Sequence, residues 1–245
     1  TQAYQCEICV GELKNSVISN NYAATKGGGI HTTSYARINI INSTITNNES
    51  PSGGGIFVDY ESHTRVINSI IWDNSLEPIG INTWLGDCQT IVFINSNIDI
   101  ISLTEHEWII FYGQGNLFSN PLFVNSMGGN YNLEGNSPCI DQGVANLNLE
   151  VDLPCYEWQN SPIIVNIPDN EYLGEAPDMG AFEFEGSSLN GDLTGDGVLN
   201  VLDIVALVNI VLENGEFVSA GDLNNDGVLN VLDVVVLVGI ILTTP

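Results

Sequence analysis

Basic side chains are what this sequence has least of: four Lys and Arg stand against 30 Asp and Glu in 245 residues, a formal net charge of −26. Nucleic acid is excluded as the main ligand, because so few cations cannot neutralise a phosphate backbone. An anionic membrane surface is disfavoured on the same ground. No stretch reaches the roughly 18 unbroken apolar residues that a membrane span needs. The longest apolar runs, 201–212 and 231–242, fall well short of that. Cysteine is sparse and odd in number: Cys6, Cys9, Cys88, Cys139 and Cys155, with no repeated Cys-x-x-Cys pair and no His at zinc spacing. That pattern points to disulfides in a secreted chain, Cys139 with Cys155 and Cys6 with Cys9, rather than to a metal site.

What is present is glycine, 25 residues of it, in a chain that is 44% hydrophobic and so able to bury a core. The sequence also repeats. Asn-Ser followed by an Ile recurs at Asn15-Ser16, Asn42-Ser43, Asn68-Ser69 and Asn95-Ser96, at spacings of 27, 26 and 27 residues. Two further markers keep step: Gly27-Gly28-Gly29, Gly53-Gly54-Gly55 and a weaker Gly80, and the pairs Asn20-Asn21, Asn47-Asn48 and Asp73-Asn74. Each period holds short Ile/Val/Thr runs broken by turn residues, which are strands and not helices. Such a unit cannot bury its apolar face alone and must stack on its copies. Leucine-rich repeats lack their leucines here, so a right-handed parallel β-helix is expected. With coils about 4.8 Å apart, the series Asn15, Asn42, Asn68, Asn95 and Asn20, Asn47, Asp73 read as side-chain ladders. The glycine triplets read as tight corners.

The repeat resembles those of large secreted bacterial β-helix proteins, some pectate-lyase-like and others adhesin-like. Ser119-Asn120-Pro121-Leu122-Phe123, Ser137-Pro138-Cys139-Ile140-Asp141 and Pro177-Asp178-Met179-Gly180-Ala181 resemble the closing segment of bacterial surface β-helices. The resemblance covers residues 10–186 and implies a fold and an extracellular or cell-surface location, but it specifies activity poorly. Residues 1–115 are assigned to the coils and 116–186 to the closing segment.

For catalysis the inventory is thin. Lys14, Lys26, Arg37 and Arg65 are the basic residues, and Arg37 and Arg65 lie five and three residues before their Asn-Ser markers, so they are not expected to form one basic face. The best acid–base set is Asp59, Glu61 and Asp73 on neighbouring coils, with His63 or Arg65. Trp72, Trp84 and Trp108 could line a sugar groove, but their phases are irregular.

Residues 187–245 change character. Asp192, Thr194, Asp196, the Val198 carbonyl, Asn200 and Asp203 are repeated 30 residues later as Asp222, Asn224, Asp226, the Val228 carbonyl, Asn230 and Asp233, with Gly197 and Gly227 at the sixth position. Oxygen donors at positions 1, 3, 5, 7, 9 and 12 with glycine at 6 are the ligand order of an EF-hand loop, although Asp replaces the usual Glu at 12. Two Ca²⁺ ions are expected. Two such loops, each leading into one apolar helix, resemble the dockerin module of cellulosome-type proteins. The resemblance implies docking on another protein, cohesin-like or a copy of itself. Val201-Leu202 and Val231-Leu232 stand where family members often carry the Ser-Thr pair that meets cohesin, and they are the expected interface. The helices are apolar almost all round, and a module of this size has too small a core to hide both.

The expected fold class is therefore mainly β: a parallel β-helix followed by a small α-helical, dockerin-like EF-hand-type module. The expected role is a non-catalytic structural or adhesion protein that docks through calcium and self-assembles into fibres. Its rival is a polysaccharide-active β-helix enzyme tethered by the same module.

Overall fold

In a computed structural model, residues 10–75, 77–82, 89–99, 109–149, 162–185, 190–195, 198–213 and 218–243 are described. The chain divides into two compact units, Thr1–Leu133 with Ser137–Glu183, and Glu134–Asn136 with Phe184–Pro245. The first unit is a parallel β-solenoid of about three turns.

Three sheets run along it. Strands β1 (Val10–Lys14), β4 (Arg37–Ile41), β7 (His63–Ile67), β10 (Thr90–Ile94) and β12 (Ile109–Tyr112) form one parallel sheet. A second contains β2 (Val17–Ser19), β5 (Thr44–Thr46), β8 (Ile70–Trp72) and β11 (Asn97–Ile98), and a third β3 (Ile30–Thr32), β6 (Ile56–Val58) and β9 (Ile79–Ile81). Every register in these three sheets is parallel, and core positions stack like on like, as in Ile40 on Val66 and Ile45 on Ile71. Alternation sends Ile40, Ile45, Ile56, Val66, Ile91 and Phe93 inward to one core.

The corners explain the markers. Asn15, Asn42, Asn68 and Asn95 all take left-handed backbone, with φ between 43° and 48°, the conformation that asparagine tolerates best after glycine. The serine after each of them builds a ladder: Ser43 N donates to Ser69 Oγ at 3.1 Å and Ser69 N to Ser96 Oγ at 3.2 Å. At the next corner Asn20, Asn47 and Asp73 are again left-handed. The expected ladder there shifts by one residue. Asn21 Nδ2 donates to Asn48 Oδ1 at 2.9 Å, and Asn48 Nδ2 to Asn74 Oδ1 at 3.0 Å. Glycine is required because the coils almost touch: a Cβ on Gly28 would lie 2.5 Å from the Gly54 carbonyl oxygen.

The later segment wraps this solenoid. Strand β13 (Phe123–Asn125) pairs antiparallel with β14 (Asn130–Leu133), and β15 (Asn146–Leu149) with β16 (Ile163–Asn166). Asn68 Oδ1 accepts from Val144 N at 2.8 Å while its Nδ2 donates to the Val144 carbonyl at 2.9 Å. Ile163 and Val165 cover the outward Ile41, Ile67 and Ile94; Leu133, Cys139 and Met179 cover Ile70. Cys139 is a buried free thiol, against the expected bond to Cys155. Burial pushes its pKa to about 11, and Asn97 Nδ2 donates to the sulfur at 3.1 Å. Cys6, Cys9, Cys88 and Cys155 lie outside the described residues.

The second unit holds two helices, α1 (Val201–Glu213) and α2 (Val231–Thr243), whose Leu207 and Leu237 are fully buried. Among the described residues no helix is long and apolar enough to cross a membrane.

Candidate functional site

Both helices are rich in β-branched residues, which are weak helix formers, so their first turns are fastened by side chains. Asn200 Oδ1 accepts from Leu202 N at 2.8 Å, and Asp203 Oδ2 accepts from Asn200 N at 2.9 Å. Asn230 and Asp233 repeat this at 2.8 and 3.0 Å. This is a reciprocal capping box. The sequence signal was there, an Asn-x-x-Asp before an apolar run, but the ligand spacing absorbed it.

The second oxygen of each aspartate reaches back to the start of its loop. Asp203 Oδ1 accepts from Leu193 N at 3.0 Å, Thr194 N at 3.1 Å and Thr194 Oγ1 at 2.9 Å. Asp233 Oδ1 accepts from Leu223 N and Asn224 N at 3.0 and 3.2 Å. Both aspartates are fully buried. Within the loops, Asp192 Oδ1 accepts from Gly195 N, while the two oxygens of Asp222 accept from Asp226 N and Gly227 N. Asp226 Oδ1 accepts from Val228 N and Asn224 Oδ1 from Asp226 N. The Val198 and Val228 carbonyls accept from Asn200 Nδ2 and Asn230 Nδ2.

Each loop thus curls around its own oxygens. Among the described residues, no three carboxylates converge as a metal-holding group; Asp196 lies outside those residues. The donor chemistry nonetheless suits a hard cation. Asp192, Asp203, Asp222 and Asp233 are buried, Asp226 adds an exposed carboxylate, the other described donors are amide, hydroxyl and carbonyl oxygens, and no Lys, Arg or His occurs in residues 187–245. Just before the twelfth-position aspartate, at the start of each helix, Val201 and Leu202 are 63% and 58% exposed, and Val231 and Leu232 are 64% and 56% exposed.

The β-helix brings its scarce cations together in two places. Arg37, His63 and Arg65 share the outer face of the first sheet, since Arg37 pairs with His63 and Arg65 with Asn39 in register. The arginines do not stack on each other, as their marker offsets imply, but the expectation that they form no basic face is corrected: offsets of five and three differ by two, and a shift of two along a strand preserves the face. Arg65 and His63 are buried. Burial, then the two guanidinium charges, holds the His63 pKa down to about 4. Burial lowers Arg37 and Arg65 to about 10.

The second place is the third sheet. Lys26 Nζ and His31 Nε2 lie 3.5 and 3.8 Å from Asp59 Oδ2. Lys26 sits 4.5 Å above the Phe57 ring, and His31 meets that ring edge-on at 5.3 Å. Burial raises the Asp59 pKa, but the Asn82 hydrogen bond and the Lys26 charge outweigh it and hold it below the usual carboxylate value. The expected acid–base set is not assembled. Asp59 and Glu61 lie in the turn before β7, His63 and Arg65 face outward from another sheet, and Asp73 follows β8 with Asp99 as its charged neighbour. Trp84 and Trp108 lie outside the described residues.

Residues 2–144 match the family described as the right handed beta helix region. The chain belongs to this family. No curated protein and no solved structure matches the chain.

Proposed function

We propose that this β-helix protein is a non-catalytic extracellular structural protein that docks through its C-terminal unit in a calcium-dependent way, as a dockerin-like module does. The observation that carries the reading is the duplication of one arrangement: an all-oxygen loop capped onto a helix whose first two residues are apolar and more than half exposed. Ca²⁺ would be held by Asp192, Thr194, Asp196, the Val198 carbonyl, Asn200 and Asp203, and by the matching residues from Asp222 to Asp233. It would supply the positive charge that this unit lacks and fix the loop that sets each helix start. The faces at Val201-Leu202 and Val231-Leu232 would then meet a cohesin-like protein or a second copy of the chain.

Calorimetric titration of the full chain with Ca²⁺ tests the metal. Two ions per chain are expected, falling to one in Asp222→Asn/Asp226→Asn, with a gain of helical circular dichroism. Light scattering tests the docking: association in Ca²⁺ that reverses with chelator is expected. An absence of calcium uptake, or helicity and mass indifferent to chelator, refutes the proposal.

A further inference from the structure

The closing segment packs on β4, β7 and β10 through Ile163 and Val165, and on β8 through Leu133, Cys139 and Met179. Neither apolar cluster includes a residue of β3, β6 or β9. In that third sheet, side chains from three successive coils meet at one carboxylate. Lys26 precedes β3, Asp59 directly follows β6 and Asn82 directly follows β9. The register that pairs Val58 with Ile81, and the bond from Asn82 N to the Val58 carbonyl at 3.1 Å, stack Asn82 on Asp59.

Both Asp59 oxygens are engaged, by groups of different chemistry. Oδ2 lies 3.5 Å from Lys26 Nζ, and Oδ1 accepts from Asn82 Nδ2 and from Tyr60 N. A primary amine and a primary carboxamide therefore flank the same carboxylate. Their surroundings are largely apolar: the Asp59 side chain is 7% exposed, Phe57 is buried, and Lys26 Nζ sits 4.5 Å above the Phe57 ring. That ring leans over the third coil, since a Cβ on Gly80 would collide with it. Lys26, starting from the first coil, thus lies over a ring that reaches toward the coil carrying Asn82. Lys14 shows the ordinary alternative, an ion pair with Glu12 in which both side chains are half exposed.

We propose that Lys26 and Asn82 join in an intramolecular isopeptide bond, formed by the protein itself with Asp59 as the proton carrier. Desolvation disfavours charge on both partners of the ion pair, which eases transfer of one proton from the Lys26 ammonium to Asp59. The freed Nζ lone pair attacks Asn82 Cγ, forming the C–N bond and a tetrahedral centre. Asp59 gives its proton to Nδ2, and the Cγ–Nδ2 bond breaks with its electron pair leaving on ammonia. Asp59 then removes the surplus proton from Nζ and hands it to the ammonia. Ammonium departs, Asp59 is a carboxylate again, and no oxidant or cofactor is consumed. Holding amine, carboxylate and carboxamide together is what lets so slow a reaction proceed. The bond is made once per chain and ties three coils together, so it fastens a structural protein and turns over no substrate. The C-terminal unit takes no part, and failure of the proposal leaves the calcium reading standing.

The test is the intact mass of the full chain, held warm at neutral pH for several days, then reduced and denatured, with chymotryptic peptide mapping alongside. The parent is expected to be lighter than its sequence by one ammonia and to yield a branched peptide that joins the Lys26 and Asn82 segments. Asp59→Asn removes the proton carrier. Lys26→Arg keeps the positive charge beside Asp59, and so the fold, but supplies no free amine. Both variants should keep the full sequence mass, with Lys26→Arg retaining the parent's circular dichroism. A parent of full sequence mass, a loss of ammonia without the branched peptide, or the same loss in either variant would overturn the proposal.

Discussion

The two units of this chain are both built by repetition, and they use it in opposite ways. In the β-helix each copy buries its neighbour, so Ile45 and Ile71 stack in register and both vanish from the surface. In the C-terminal unit the two copies bury Leu207 and Leu237, while Val201 and Val231, Val205 and Val235, Leu212 and Leu242 all stay more than half exposed. Repetition by translation extends a core, whereas a single duplication closes a small core and leaves two equal apolar faces. On the proposed reading, the first unit carries stability and the second contact.

The comparison breaks most directly at Asn68. Asn68→Ala strands three partners, Asn42 Oδ1 and both polar groups of Val144, and puts alanine into left-handed backbone at φ 48°. At about 1–3 kcal/mol per stranded buried group, diluted where a group keeps another partner, plus about 1 for the backbone, the loss is on the order of 5 kcal/mol. Urea unfolding followed by circular dichroism measures it. Asn15→Ala, at an exposed position of the same series, should cost about 1 kcal/mol. In the C-terminal unit, Leu207→Ala and Leu237→Ala should each cost about 4 kcal/mol, and by nearly equal amounts, because the two leucines occupy equivalent places in one core. Helical signal should melt first in both variants, with the β signal unchanged.

Much of this was legible in the sequence, because a stacked coil needs the same backbone exception at the same place each time. The Asn-Ser and Gly-Gly-Gly spacings report that need directly. Which asparagine of Asn20-Asn21 forms the ladder was not legible: neighbouring residues point in different directions at a corner, and only coordinates reveal the direction. The Ser43, Ser69, Ser96 ladder was hidden for the same reason. The arginines were misjudged through phase counted from a marker instead of parity along a strand. At the acidic loops the ligand spacing was visible, but Asp203 and Asp233 close their own loops on backbone N–H groups, and an oxygen that suits a metal suits a helix cap equally well. The closing segment's grip on Asn68 spans 76 residues and has no local signature.

Acid sharpens the comparison next, because the β-helix holds a buried imidazole and the C-terminal unit has no histidine. His63 has a folded pKa of about 4, lowered by burial and then by Arg37 and Arg65. The unfolded value of 6.5 is higher, so the neutral ring's contribution is complete above pH 6.5. It is lost as pH falls toward 4, by about 3 kcal/mol. Asp73 and Glu183, raised by burial, act with the opposite sign, so the quantity to read is a difference. The unfolding free energy of the parent minus that of His63→Gln should decline between pH 6.5 and 4 and be flat above. A difference independent of pH would mean that His63 is not a buried neutral ring.

The smallest expected effect on stability bears most on the division of labour. Leu202 and Leu232 are 58% and 56% exposed, and truncating an exposed side chain outside a cap or core changes stability by no more than about 0.5 kcal/mol. Leu202→Ser and Leu232→Ser keep the backbone N–H groups that bond Asn200 Oδ1 and Asn230 Oδ1, so the helix starts survive. If these residues serve contact, the double variant should unfold with the parent's midpoint, yet lose calcium-dependent association in light scattering. Because the faces are copies, each single variant should retain one working face and lose about half of the associating surface. A double variant that unfolds early would place these leucines in the core of their own unit, and the distinction between a unit that stabilises and a unit that binds would fail at that point.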